Sequence, residues 1–168
     1  MKTLSNILLL LLALLIQTSW VSKIGILGLK PDVVLIVLAY ISISRGQIEG
    51  TLYGFASGFL LDVFDPDAMG INALSNSVVG FAVGYTRIGI VAEDLRVKAL
   101  LLFMAVLLHD LVYFTFASMP NVSVVPIRLI QVGVGTALYT AALGICLSLL
   151  LSIRFNKGVY LDARRLHG

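Results

Sequence analysis

The chain has 168 residues, 59% of them hydrophobic and only 12% charged, with a mean hydropathy of +1.01. A soluble domain carries about 25% charged residues, so a water-soluble fold of this length could not hide so much apolar surface; the reading is a single all-α membrane domain. The net charge of +3 is small and its cations are scattered among loop ends, which argues against a nucleic-acid partner, and Cys146 as the only cysteine excludes internal disulfides and multi-thiolate metal sites.

This length suits a compact polytopic bundle of about six short helices of roughly 20 residues each. The first is expected over residues 4–21. Lys2 followed by the leucine-rich stretch Ile7–Ile16 imitates a signal peptide, but Gln17-Thr18-Ser19-Trp20 offers no small-x-small cleavage site. We read it as a retained helix with Trp20 anchored at the interface. A short loop with Lys23, Gly25, Gly28 and Lys30 follows, and Pro31-Asp32 opens a second helix over 31–44. Proline is tolerated in a first turn, where its missing N–H has no intrahelical partner anyway. This helix is short for a hydrocarbon layer of about 30 Å, so it must begin earlier, thin the bilayer or be sheltered by its neighbours.

The third helix, 47–64, is the most distinctive. Gly46, Gly50, Gly54 and Gly58 recur every fourth residue, and the next step of four lands on Asp62. In water each glycine would cost about 1 kcal/mol relative to alanine. In a bilayer the backbone must hydrogen-bond internally whatever its side chains, and the repeat draws a groove that lets another helix approach closely. Asp65-Pro66-Asp67 ends the helix. Gly70 precedes a fourth helix over 71–85, in which Asn72, Asn76, Gly80 and Gly84 form a second small or polar stripe able to face the groove. After a charged loop from Arg87 to Lys98, a fifth helix covers 97–118 and contains His109-Asp110. Met119-Pro120-Asn121 breaks it, and Pro126-Ile127-Arg128 starts a sixth over 126–153, with its own stripe of Gly133, Ala137 and Ala141. No segment is long and polar enough for a separate soluble domain, and Asn156 to Gly168 is the only candidate tail.

Six spans place Lys2, Arg45, Arg87, Arg96, Lys98, Arg154, Lys157, Arg164 and Arg165 on one side and Lys23, Lys30 and Arg128 on the other. The positive-inside rule then makes both termini cytoplasmic.

Ionisable groups within a bilayer are costly and usually face protein or water. Glu49 can pair with Arg45, four residues earlier. Asp62 belongs either to an acidic helix end or, with Asn72 and Asn76, to a polar pocket, in which case Asp62→Asn should spare folding and impair function. His109 and Asp110 lie roughly 18 Å along their helix. They diverge by about 100°, so they should not face one point; they serve either as interhelical hydrogen bonds or as a proton relay or ligand site. A Ser57–His109 hydrolase dyad lacks any nucleophile motif, and no phosphate loop, metal-ligand spacing or dinucleotide fingerprint occurs. No catalytic residue, metal or cofactor is expected.

The run Lys30-Pro31-Asp32 to Tyr40, then Arg45-Gly46, Glu49-Gly50, Gly54, Gly58 and Leu61-Asp62, then Gly70-Ile71-Asn72-Ala73-Leu74, resembles the MreD family of rod shape-determining membrane proteins. The resemblance covers about Pro31 to Tyr85. It implies a non-enzymatic partner of MreC within the bacterial elongation machinery, which links cytoplasmic MreB filaments to the glycosyltransferase RodA and its penicillin-binding partner. It also implies a fold similar to the substrate-binding subunits of energy-coupling-factor vitamin transporters. On the residues alone, the Gly133–Ala137–Ala141 stripe is the expected partner interface, and the basic tail of Arg154, Lys157, Arg164 and Arg165 is expected to lie on anionic lipid. Two alternatives stay open. A vitamin-capture subunit is one, although the first helix has only Ala13 as a small residue for docking on a coupling protein. A small proton-coupled transporter using Asp62, His109 and Asp110 is the other, although the chain shows no internal repeat.

Overall fold

In a computed structural model the described residues are 2–21, 29–86 and 95–159. Residues 87–94 of the expected charged loop, with Glu93 and Asp94, and the tail arginines 164 and 165 lie outside them, as do Lys23, Gly25 and Gly28, whereas Arg96 and Lys98, expected in that loop, lie in the first turn of a helix that begins at Leu95. The helices are α1 (Lys2–Ile16, continued by a π turn, Gln17–Val21), α2 (Val33–Arg45), α3 (Gln47–Asp62), α4 (Ile71–Tyr85), α5 (Leu95–Ala117), α6 (Val125–Arg128) and α7 (Val134–Val159). A second π turn, Leu129–Gly133, joins α6 to α7 without a break in the rod. The expected sixth helix is therefore one long element carrying an extra residue in a turn. Nothing in its sequence marks that turn, which lies where Gly133 packs beside Asp110.

Two stretches, Leu95–Ala117 and Val122–Leu149, are long and apolar enough to cross a membrane, and Thr3–Ser19 and Val33–Arg45 are shorter apolar helices. With 16 and 15 residues, α3 and α4 reach only about 22–24 Å at 1.5 Å per residue.

A single residue, Gly46, separates α2 from α3. Its φ of 93° lies in the left-handed region that side chains rarely adopt. Its N–H closes α2 by donating to Ser42 O at 2.7 Å, and its carbonyl opens α3 by accepting from Gly50 N–H at 2.9 Å. The two helices fold back on each other from this corner, so that one turn away a methyl on Gly50 would sit 2.6 Å from Ser42 Oγ.

The closest packing in the molecule is between α3 and α4, which run antiparallel. Gly50 faces the carbonyl of Gly80, Gly54 that of Asn76, Gly58 that of Asn72, and Gly84 faces Gln47. One register climbs by four as the other descends by four. A Cβ on Gly54 or Gly58 would overlap main-chain atoms, so hydrogen in place of a side chain is a geometric requirement here. Where a longer side chain would have held the helices apart, dispersion between two backbones replaces it.

Around this hairpin, α2 forms the centre of the bundle. Leu35, Leu38 and Ala39 pack with Val79 and Val83 of α4, Leu102, Ala105 and Val106 of α5, and Ala137 and Ala141 of α7. On the other side Val34 meets Ala13 and Leu14 of α1. Most remaining leucines of α1 point outward, Leu15 with 64% exposure among them. An outer face this apolar suits a lipid surround.

One expectation is corrected by this packing. Gly133, Ala137 and Ala141 are buried inside the chain, so the stripe is not an exposed partner face. The stripe was visible in sequence, but its direction depends on where α5 and α2 sit, and these small residues let α5 approach α7.

Gly58→Ala places a methyl against the carbonyl and Cα atoms of α4 and should cost about 1–3 kcal/mol by overpacking. At Gly135 the nearest atoms are the side-chain ends of Leu29, which can turn aside. Thermal melts of the purified protein in detergent should therefore show a clearly lower Tm for Gly58→Ala than for Gly135→Ala; equal melting points would count against the backbone-contact account.

Candidate functional site

Polar side chains inside the bundle fall into two groups. The first closes the α3–α4 hairpin. Asp62 is the last residue of α3 and is fully buried. Its Oδ1 accepts from the backbone N–H of Asn72 at 3.0 Å and from Asn72 Nδ2 at 2.9 Å, while its Oδ2 accepts from the N–H of Ala73 at 3.0 Å. Gly70, at the N-cap of α4, has no side chain to satisfy those first-turn donors. The carboxylate does this from the preceding helix, where the positive end of the α4 dipole also favours it. One turn deeper, Ser57 donates to Gly54 O at 3.0 Å and receives Asn76 Nδ2 at 3.4 Å.

Asp62 thus meets Asn72 while Asn76 bonds to Ser57 one turn away, and both oxygens of Asp62 are engaged by main-chain or amide donors. The pocket expected at Asp62 gives way to a helix cap. The reason lies in the turn: Gly70 leaves a vacancy at the N-cap, and the antiparallel hairpin delivers Asp62 to it. Ser57 and His109 do not meet through any hydrogen bond among the described residues, and the hydroxyl of Ser57 is committed to Gly54.

The second group surrounds the start of α2. The N–H of Asp32 donates to Thr140 Oγ1 of α7 at 2.9 Å. Gln17, at the π turn after α1, accepts from Val33 N–H at 2.9 Å and donates to Pro31 O at 3.4 Å. Asp32 caps its own helix, with Oδ1 accepting from Leu35 N–H at 2.8 Å. Thr140 lies about 22 Å along the continuous rod that begins at Val125, so α2 begins deep in the bundle. Non-helical backbone at such depth is tolerated only where protein satisfies it, and Gln17 and Thr140 do so here. The short second helix is explained by this shelter.

His109 and Asp110 of α5 border the same region. Both are buried, and Asp110 packs beside Gly133. The expectation that they face different points is corrected: the ring of His109 turns along the helix surface so that Nδ1 lies 3.0 Å from Asp110 Oδ1. The 100° divergence describes Cβ directions, and two flexible side chains can close it. Tyr113 stacks on the imidazole with ring centroids 5.9 Å apart. At the other end of the hairpin, Arg45 Nε and Glu49 Oε2 form the expected pair at 3.6 Å, with both side chains partly exposed. A pair this long and open adds little.

Sequence reasoning underweighted Gln17, Asp32 and Thr140. A glutamine inside a leucine run and an aspartate just after a proline were signals that could be weighed, whereas Thr140, in a run of small residues, carried none. Among the described residues no group of three or more His, Cys, Asp or Glu side chains is placed to hold a metal ion.

Asp62→Ala would strand the buried donors of Asn72 and Ala73 at about 1–3 kcal/mol, whereas Asp62→Asn keeps one acceptor oxygen. Melting in detergent should rank wild type above Asp62→Asn and that above Asp62→Ala. A wild-type melt for the alanine variant would show that the cap contributes nothing.

A family profile described as rod shape-determining protein MreD matches residues 1–157, taking in both polar groups and the whole glycine hairpin. No curated protein and no solved structure matches the chain significantly. With a profile covering well over half of its length, the chain belongs to the MreD family of rod shape-determining membrane proteins.

Proposed function

We propose that this chain is a non-catalytic, six-span scaffold of the bacterial cytoplasmic membrane, with both termini inside, that acts in wall elongation by holding an MreC-like membrane protein. The observation that carries the reading is how its interior polar groups are used. Asp62, Ser57, Asn76, Gln17 and Thr140 bond between or within helices, which suits a rigid platform more than a reaction centre. MreB filaments, RodA and its penicillin-binding partner would be reached through the MreC-like protein. No cofactor or nucleic acid has a part in this reading, and the basic tail rests on anionic lipid.

With the α7 stripe turned inward, the face we assign to the partner is the cleft between α1 and α3. It has a volume of about 550 Å³ and is lined by Ile7, Leu10, Leu11, Leu52, Ala56 and Leu60, with Glu49 among its polar residues. Its lining is almost wholly apolar, as a membrane-embedded contact requires. Ala56, the smallest residue on the α3 side, gives a partner helix room to approach. Glu49, 43% exposed, can meet a basic residue at the cytoplasmic end of that helix.

Affinity purification of the tagged protein from its native membrane in mild detergent, with mass spectrometry of bound proteins and small molecules, tests both statements. A single-span MreC-like protein should copurify in near-stoichiometric amount, and Ala56→Phe should lose it while retaining the wild-type melt. A bound vitamin together with an ATPase module would replace the scaffold reading with a capture subunit. Retention of the partner by Ala56→Phe would move the interface elsewhere.

A further inference from the structure

Close approach of α3 and α4 is possible only where a glycine of one helix meets the main chain of the other, so separation and register are linked. In the observed register Gly58 faces the carbonyl of Asn72, Gly54 that of Asn76, and Gly50 that of Gly80. Both stripes repeat every four residues, Gly46, Gly50, Gly54 and Gly58 against Asn72, Asn76, Gly80 and Gly84, so this steric condition has a second solution. A slide of α4 by four residues, about 6 Å, toward the start of α3 sets Asn72 against Gly54, Asn76 against Gly50 and Gly80 against Gly46. Seen from α4, each of those positions is again a glycine. The connecting residues 63–70 extend at roughly 3.3 Å each, which covers the extra turn. The opposite slide sets Asp62 against the main chain of Asn72, where even a Cβ on Gly58 would lie 2.2 Å from the carbonyl oxygen, and is excluded.

Polar side chains distinguish the two registers. The bonds that Asp62 accepts from Asn72 and Ala73 form only when the start of α4 lies beside the end of α3. After the slide they are lost, and Gly70 has no side chain to replace them. Asn76 makes the second difference. It is fully buried, its Nδ2 donates to Ser57 Oγ at 3.4 Å, and its Oδ1 has no partner among the described residues. A stranded acceptor costs stability that an apolar residue would not, and a buried asparagine kept at such a cost fixes register between helices. After the slide the residue of α3 in the place of Ser57 is Tyr53, whose hydroxyl is carried at the far end of its ring.

We infer that Asp62 and the Ser57–Asn76 pair form a polar latch that selects one of two registers open to the glycine hairpin. The glycines set how close α3 and α4 come; the latch sets which turn of one helix meets which turn of the other. Asn76 is thus a positioning residue whose value lies in uniqueness of the fold and not in its own bonding. This inference is independent of which partner the protein binds.

Gly54 is the reporter, since it faces Asn76 in one register and Asn72 in the other. Magic-angle-spinning NMR of the full-length protein in lipid, with ¹³C at glycine Cα and at the asparagine backbone carbonyl, reads these contacts directly. The protein with native side chains should show Gly54–Asn76 and Gly58–Asn72 cross-peaks. Joint Ser57→Ala and Asp62→Ala should bring up Gly54–Asn72 and Gly50–Asn76 cross-peaks. The milder pair Ser57→Ala and Asp62→Asn, which keeps one cap oxygen, should show both sets at once and decides the matter if the first pair does not fold. A folded protein of either kind with only the Gly54–Asn76 and Gly58–Asn72 contacts would overturn the latch and assign register to side-chain packing such as that of Val79 and Val83. Failure of both pairs to fold would overturn it too, because no second register would then be stable.

Discussion

Two backbones in contact decide most of this structure. Where α3 and α4 cross, there is no side chain between the Cα of Gly54 or Gly58 and the facing carbonyls of Asn76 and Asn72. Because the contact is main chain to main chain, neither partner can yield, and register and separation are set together. The neighbouring features depend on that register. Gly46 must turn the chain within one residue for α2 to lie against the hairpin, and Asp62 reaches the first turn of α4 because the two helices end in step.

A bundle of this composition has little use for polarity in its interior, yet several polar groups are there, and three of them answer a backbone need. Asp62 supplies the cap that Gly70 lacks. Gln17 and Thr140 satisfy the peptide groups of Pro31 to Val33, which descend into the bundle before α2 begins. In water such groups would find solvent partners and need no dedicated side chains; within an apolar surround, each would otherwise be stranded. Some buried polar atoms, Nε2 of His109 and Oδ1 of Asn76 among them, have no hydrogen-bond partner among the described residues.

Membership of the MreD family gives these devices a setting in rod-shape determination. The outward leucines of α1 and the cleft between α1 and α3 give the described helices an apolar exterior, and the glycine hairpin holds two backbones in direct contact inside it.

Much of this was determined by the sequence itself. Composition set the all-helical, apolar class. The four-residue glycine spacing and the Asn72–Asn76–Gly80–Gly84 stripe placed two complementary faces on adjacent helices, because a fixed helical period turns spacing directly into direction. The MreD-like motifs between Pro31 and Tyr85 pointed to the family. What only the tertiary structure decided concerns which neighbour a given face meets. The stripe of Gly133, Ala137 and Ala141 could equally have faced a partner, and its burial against α5 follows from how the described helices share one volume. Asp62 looked the same in sequence as a cap or as a pocket wall, since the difference lies in the distance to donors ten residues away. Local periodicity records the direction of a side chain from its own helix axis; the arrangement of the other helices determines what stands in that direction.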